Sequence, residues 1–248
     1  MRASPSSDVR HAGDAGADAA TYREAMLIVE ELHLLLTRPD GRVESAASVH
    51  RLFGAIAAVI VDLSLRDRVV VTEEKNPAVQ VVSADPIGDP VLDTALARLA
   101  PLSGKRLQSL LMRSKLDPLD QVVESLVAQG VLVRGERGFF GWGSLRTPES
   151  DPGPEMLIRS RLAAVLSGSA APALADVTIL AILQGMNAAH PILKNEAAGA
   201  SAGQLKKRIE QLVAGSAAGD AVTKAVNTAI AAALMAAMTP VIVATTTG

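Results

Sequence analysis

Three of the five aromatic side chains in this sequence fall within one short segment, residues 138–143. Phe139, Phe140 and Trp142 lie between glycines there, and Arg137 precedes them. Aromatic rings beside arginines on a protruding loop suit entry into a lipid headgroup layer, where guanidinium groups meet phosphates. Two alternatives stay open: the rings pack on the chain's own core, or they form a contact between copies of the chain. Neighbouring strand residues point to opposite faces, so at least one ring is expected to be exposed.

A second feature is a cluster of basic residues around a short predicted helix. It consists of Lys105, Arg106, Arg113 and Lys115. Such groups suit a lipid phosphate or an acidic partner, and an ordinary solvated face is the alternative.

Motifs of catalysis are missing from the sequence. There is no cysteine, so thiolate nucleophiles and cysteine-based metal sites are excluded. The four histidines show no pair at metal-ligand spacing; His33 and His50 are expected to be boundary residues hydrogen-bonded to a neighbour. The adjacent Glu30 and Glu31 point about 100° apart around a helix and cannot form one acid–base pair. We therefore predict a binding protein that is not an enzyme and has no cofactor or metal.

The composition favours one helical domain. The 248 residues carry a formal net charge of −2, and 49% are hydrophobic. Alanine and leucine are good helix formers, and the chain is long enough to bury a large core. Near-zero charge argues against a dedicated nucleic-acid binder. Absence of cysteine favours a cytoplasmic location, and the alanine- and arginine-rich composition hints at a bacterial source.

Apolar spacing and capping signals place the elements that must position these residues. They predict helices over 21–36, 45–65, 90–99, 104–112, 118–129, 155–167, 173–185, 201–214 and 220–238. The first begins with a capping box at Thr21, Asp89 caps the third, and Gly130 ends the fifth. Short β-branched and aromatic runs predict two hairpins, 68–83 and 131–142. The fold class is therefore mainly α, with two small β-hairpins.

The two ends of the chain differ from the middle. Residues 1–20 form a low-complexity stretch that predicts a disordered tail, and 21–248 form the helical domain. Residues 225–244 carry no charge and approach the length of a membrane span. Their alanine content and Pro240 favour a buried core helix, and a tail anchor is the alternative.

Four segments in a fixed order resemble the Golgi phosphoprotein 3 family: residues 26–36, 62–68, 88–96 and 126–132. The resemblance implies a central helix bundle surrounded by amphipathic helices and small hairpins. Eukaryotic members are peripheral Golgi proteins that bind phosphatidylinositol 4-phosphate, hold glycosyltransferase tails and insert a hydrophobic hairpin into the bilayer. Residues 139–142 fall where the tip of that hairpin lies, which favours the membrane-contact interpretation.

The family's lipid pocket uses a tryptophan and an arginine on the second helix and two further arginines. The matching positions here are Ala47, Ile56, Leu116 and Leu119. Without these cationic contacts, preference for the inositol lipid is expected to be lost. Candidate lipid-phosphate residues in their place are Arg51, Arg113 and Lys115.

The resemblance thus implies a non-enzymatic adaptor, cytoplasmic and peripherally bound to an anionic membrane surface. Its expected partners are that lipid surface, an unidentified protein and a second copy of the chain through the hairpin.

A winged-helix nucleic-acid-binding or regulatory protein is the alternative. A helix, a glycine turn and a two-stranded wing bearing Arg134 and Arg137 fit that pattern. The helix predicted over 118–129, however, carries Asp120 and Glu124 and no basic residue, which argues against nucleic acid as a partner.

Overall fold

A computed structural model describes residues 26–72, 74–135, 146–215, 230 and 232–233. These residues are mainly helical, with 55% helix and 7% strand, as the sequence predicted. The α-helices of the described part are α1 (Ile28–Leu35), α2 (Arg51–Ser64), α3 (Pro90–Leu99), α4 (Leu107–Leu111), α5 (Leu119–Ala128), α6 (Gly153–Ser167), α7 (Leu174–Gly185), α8 (Ala189–Ile192) and α9 (Ala202–Gly215).

Helix α1 is the centre of the molecule. All eight of its residues are buried, and α2, α5, α6 and α7 pack around it. The helix is not wholly apolar, since Glu30, Glu31 and His33 are buried with the rest. Burying an ionisable group costs free energy unless it is hydrogen-bonded or paired. Each of these three side chains must therefore find a partner on a surrounding helix.

The first turn of α1 is capped by carboxylates. Glu30 Oε2 accepts a hydrogen bond from the Leu27 backbone N–H at 2.9 Å. The two oxygens of Asp62, a residue of α2, accept from the backbone N–H groups of Ile28 and Val29 at 3.0 Å each. The free N–H groups at the start of a helix need such acceptors, and negative charge there also suits the helix dipole. Asp62 thus connects α2 to the N-terminal end of α1.

Two predicted helices begin later than expected. The helix predicted from residue 21 starts at Ile28, since Met26 and Leu27 are not helical. Its start is set by the acceptors on Glu30 and Asp62. The capping box predicted at Thr21 lies outside the described residues. The helix predicted from residue 45 starts at Arg51, after a series of turns in which Ser48 Oγ donates to the Ser45 carbonyl. Serine side chains that bond to nearby backbone compete with helix in this way.

Other capping signals are confirmed. Asp89 Oδ1 accepts from the Leu92 N–H at 3.0 Å, and Pro90 is the first residue of α3. Gly130 follows α5 with a φ of +77°, a left-handed conformation that favours glycine. The Val131 N–H then donates to the Leu126 carbonyl, which ends the helix.

A small antiparallel sheet contains the first predicted hairpin. Strands β1 (Val69–Val71) and β2 (Ala78–Val81) pair with Val69 opposite Val81. A third strand, β3 (Lys105–Arg106), adds to the other edge of β2. The helix predicted over 104–112 is therefore shorter than expected, because its first residues join the sheet and α4 starts at Leu107.

The second predicted hairpin is described only at its base. Leu132 forms an isolated bridge with Glu149, and the Val133 N–H donates to the Pro148 carbonyl at 2.9 Å. The Gly135 N–H donates to the Arg146 carbonyl at 3.0 Å. The predicted pairing of residues 131–133 with residues 138–142 is therefore wrong, because their partners are residues 146–149 and the connection between the two strands is longer than a tight turn at 134–137. Residues 138–142 themselves lie outside the described residues.

The chain ends are only partly described. The tail predicted over 1–20 lies outside the described residues, as does most of the helix predicted over 220–238. Ile230 and Ala233, which belong to that helix, are buried. Within the described part, no helix combines the length and apolar character needed to cross a bilayer.

Asp62 makes the stability of the fold depend on pH. Burial raises the pKa of its carboxyl from 3.8 to about 7, against the lowering effect of the two backbone N–H groups. The folded chain therefore keeps a proton that the unfolded chain has lost between about pH 4 and pH 7, so this stabilising contribution is lost as pH rises.

We predict that the Asp62→Asn substitution, which mimics the protonated carboxyl, removes this dependence. The free energy of unfolding of the wild type minus that of the variant should fall between pH 5 and pH 7 in urea titrations and level off above pH 7. Asp120→Asn, at an exposed position on α5, is the control. A wild-type-minus-variant difference that stays constant for Asp62→Asn would contradict the prediction.

Candidate functional site

The candidate site is built around Arg51, the first residue of α2. Its side chain is half-buried and extends over the central helix, where Nη2 lies 3.4 Å from Nδ1 of His33. His33 itself is only 2% exposed. A guanidinium has only donors, so Nδ1 must accept in this contact, and the proton of the neutral imidazole is on Nε2.

Two donors at this site have no acceptor. Among the described residues, neither Arg51 Nε nor His33 Nε2 has a hydrogen-bond partner, although both atoms are buried. Buried polar atoms are nearly always satisfied, and an exception asks for an explanation such as a ligand. Because both atoms are N–H donors, the group that satisfies them is an acceptor.

The charge of Arg51 is also not neutralised by contact. No carboxylate of the described residues lies within 4.0 Å of its guanidinium, whereas several other arginines form such pairs. Burial lowers the pKa of Arg51, and the more distant charge of Asp117 partly offsets this. A half-buried cation without an ion pair attracts anions strongly, because the surrounding protein screens its charge less than water does.

Arg113 and Lys115 are both exposed on the segment that contains Asp117. Lys115 lies within a single 3₁₀ turn, Ser114–Leu116, and Arg113 directly precedes that turn. Of the three candidate phosphate residues, only Arg51 is therefore preorganised by its surroundings. Residues Arg137, Phe139, Phe140 and Trp142 of the predicted hairpin tip lie outside the described residues.

The four positions that the sequence analysis assigned to the family's lipid pocket are apolar and mostly buried. Ala47, Ile56 and Leu116 are 0%, 2% and 6% exposed, and Leu119 packs against the same core. Their side chains offer no hydrogen-bond donor.

The sequence predicts His33 as a boundary residue that is hydrogen-bonded to a neighbour. The structure buries it almost completely, beneath Arg51, which is the neighbour that contacts it. A signal existed, since a histidine two residues from the end of a strongly apolar helix must face some polar group. The identity of that group depends on the packing of α2 against α1, which the sequence pattern does not give.

A second buried ionic cluster serves the fold. Arg161 on α6 donates to both oxygens of Glu31 and also pairs with Asp176 at the start of α7. These contacts join three helices and leave the guanidinium fully occupied. In the described ranges, no group of three or more His, Asp or Glu side chains is arranged to hold a metal ion.

A family model for Golgi phosphoprotein 3 (GPP34) matches residues 28–233. The chain belongs to this family. The match covers every helix described above, including the Arg51 site on α1 and α2. A comparison with curated proteins gave no match. Membership in the Golgi phosphoprotein 3 family is consistent with a non-enzymatic adaptor.

His33 gives the site its own pH dependence. Burial, followed by the charge of Arg51, lowers the pKa of its imidazole from 6.5 to about 3. The unfolded chain therefore takes up a proton below about pH 6.5 that the folded chain does not, so stability from this group is lost as pH falls.

We predict that His33→Gln removes this acid sensitivity, because an uncharged amide replaces the imidazole. The free energy of unfolding of the wild type minus that of the variant should decrease between pH 7 and pH 5, the opposite slope to that of Asp62. If urea titrations give the same difference at pH 7 and at pH 5, the conclusion that His33 is buried in its neutral form is wrong.

Proposed function

We propose that this protein is a peripheral membrane adaptor that contacts the phosphate of anionic lipids through Arg51. The observation that carries the proposal is the half-buried guanidinium, which among the described residues has no ion pair and has an unpartnered Nε. A phosphate oxygen supplies both the negative charge and the acceptor that this group needs. Family membership supports a role at membranes, and the residues here determine how the contact is made.

Arg113 and Lys115 form an outer layer of the proposed site. Both side chains are exposed, so salt screens their attraction for a lipid surface more than it screens that of Arg51. They attract anionic membranes in general and do not select a headgroup. Met112, beside them, is 59% exposed, and Val49, two residues before Arg51, is 76% exposed. Apolar side chains that border cations in this way suit the interface between headgroups and acyl chains.

The proposed lipid selectivity differs from that of the eukaryotic relatives. Selective binding of an inositol phosphate needs several cationic groups at fixed positions. The apolar residues Ala47, Ile56, Leu116 and Leu119 cannot supply them. The adaptor is therefore proposed to bind anionic lipids according to their charge.

The aromatic hairpin is proposed as the second membrane contact. Its base is closed by the hydrogen bond from the Val133 N–H to the Pro148 carbonyl, and the Glu149 N–H donates to the Pro39 carbonyl in the turn after α1. Phe139, Phe140 and Trp142 belong to the segment that this base carries. The competing hypothesis is that the same rings form a contact between two copies of the chain. The hairpin test below distinguishes a membrane contact from such an oligomer contact.

Nucleic-acid binding is less well supported. Arg134, which the winged-helix alternative places in the wing, pairs with Glu124 of α5. That pair leaves less positive charge for a phosphate backbone, and α5 itself carries no basic residue.

The Arg51 contact is tested by co-sedimentation with vesicles of neutral lipid mixed with a fixed fraction of anionic lipid. We predict that Arg51→Met lowers the partition coefficient by about tenfold or more, since a charge-assisted hydrogen bond contributes about 1.5–3 kcal/mol. Arg38→Met is the matched control, because Arg38 is exposed and paired with Glu44. At matched surface charge, phosphatidylinositol 4-phosphate should bind no better than other anionic lipids. Equal losses for the two variants would rule out Arg51 as the phosphate contact.

The hairpin is tested with the double substitution Phe140→Ser and Trp142→Ser. Because burying each ring contributes roughly 1.5–3 kcal/mol, vesicle binding should fall roughly a hundredfold or more while the helical circular dichroism is retained. In the wild type, Trp142 is the only tryptophan, and its emission should shift to the blue when anionic vesicles are added. A shift that follows protein concentration alone indicates an oligomer instead, and unfolding of the double variant indicates a core cluster.

A further inference from the structure

Two short segments form the base of the predicted hairpin, and Glu149 lies on the second of them. Leu132 forms its bridge with Glu149, and one residue further on the Ser150 N–H donates to the Val131 carbonyl at 2.8 Å. Helix α6 begins only four residues after Glu149, at Gly153. The hairpin base and the start of α6 are therefore neighbours in the fold, and an interaction between them passes through few residues.

Glu149 and Glu155, a residue of the first turn of α6, form a pair of carboxyl groups. Their side chains are in hydrogen-bond contact. An ionised carboxylate only accepts hydrogen bonds, so this contact requires a proton on one of the two groups. Glu155 is 8% exposed, and Oε1 of Glu149 is buried without a hydrogen-bond donor among the described residues. Without the proton, two negative charges would face each other in a site that water reaches poorly.

The nearest cation is shared with a further carboxylate. Arg159 Nε donates to Glu155 Oε1 at 2.6 Å, and its Nη1 donates to Glu196 Oε1 at 3.0 Å. Arg146, on the same segment as Glu149, is exposed and forms no ion pair with the described residues. Burial and the charge of Glu155 therefore raise the pKa of Glu149 from 4.5 to about 7, which the charge of Arg159 only partly offsets.

Charged residues on the neighbouring elements do not neutralise the pair. Asp151 adds a further negative charge close to Glu149. In the turn after α1, Arg42 pairs with Asp40, and on the first segment of the hairpin base Arg134 pairs with Glu124. A proton is thus the one positive charge that the pair can still acquire without rearranging these contacts.

We propose that Glu149 and Glu155 share one proton and form a pH-dependent switch between the hairpin base and α6. With the proton in place, the carboxyl hydrogen bond joins residues 146–151 to the helix. Loss of the proton to solvent leaves two like charges in contact, which favours local opening of that segment. The switch is separate from the lipid contact proposed at Arg51 and needs no lipid to operate.

The direction of the pH response follows from the two protonation equilibria. In the opened segment Glu149 titrates with its ordinary pKa of 4.5, whereas in the closed pair its pKa is about 7. Between these values the closed form holds a proton that the open form has lost. The equilibrium constant for opening therefore rises by up to about tenfold per pH unit from pH 5 to pH 7 and levels off above pH 7.

The switch is tested on the full chain by hydrogen exchange at the Val133 and Ser150 amides, with rates corrected for the intrinsic pH dependence of exchange. Protection of both amides should fall between pH 5 and pH 7 and stay level above pH 7. In Glu149→Gln, the amide donates to Glu155 at every pH, so the fall specific to this pair should be absent. Glu210→Gln, at an exposed position on α9, is the control and should match the wild type.

Carbon-13 spectra of the side-chain carboxyl groups test the shared proton in the wild type itself. The signals of Glu149 and Glu155 should move together in one step near pH 7, because interacting groups titrate as a pair. The proposal is overturned if both signals complete their titration below pH 5, or if protection at Val133 and Ser150 depends on pH equally in the wild type and in Glu149→Gln. Neither measurement contains lipid, so its outcome is independent of the proposed membrane contact.

Discussion

The burial of a helix that contains three ionisable side chains is the constraint on which the rest of the structure depends. Helix α1 is enclosed on all sides, so its polar groups find partners only on the helices around it. Glu30 accepts hydrogen bonds from Ser125 on α5 and from Gln129, which directly follows that helix. Glu31 is held by Arg161 on α6, and Asp62 on α2 caps the first turn. A buried charge without its partner is strongly destabilising. These contacts therefore fix which helix stands on which side of α1, beyond what apolar packing alone specifies.

The candidate lipid site is the one exception to this pairing. His33 is the third ionisable residue of α1, and its partner is a cation rather than an acid. The contact leaves two buried donors unsatisfied among the described residues. Every other ionisable residue of α1 is fully engaged in holding helices together, whereas Arg51 and His33 have hydrogen-bonding capacity to spare. The site at the start of α2 therefore has a positive charge and hydrogen-bond donors without an acceptor, and a phosphate is proposed to supply that acceptor.

The sequence predicts what depends on local chemistry. The cap at Asp89, the terminal glycine at Gly130 and the hairpin around β1 and β2 are all specified by neighbouring residues, and all are confirmed. The starts of α1 and α2 were misplaced because distant carboxylates and serine turns decide them. Strand β3 was missed because two residues carry too little pattern to detect. At the site, the sequence predicts Arg51 as a phosphate residue from its position in the chain. Its burial over His33, eighteen residues earlier, results from the packing of α2 against α1.

A phosphate contact at the Arg51 guanidinium is measured most directly by the Nε–Hε resonance of that side chain. With 15N-labelled protein, the Nε–Hε signal of Arg51, assigned by its loss in Arg51→Met, can be followed during titration with glycerol phosphate, a soluble form of the lipid headgroup. We predict a saturable downfield proton shift of this signal, while that of Arg161, which is already paired, stays in place. A titration in which the Arg51 signal does not move, or moves no more than that of Arg161, would contradict it.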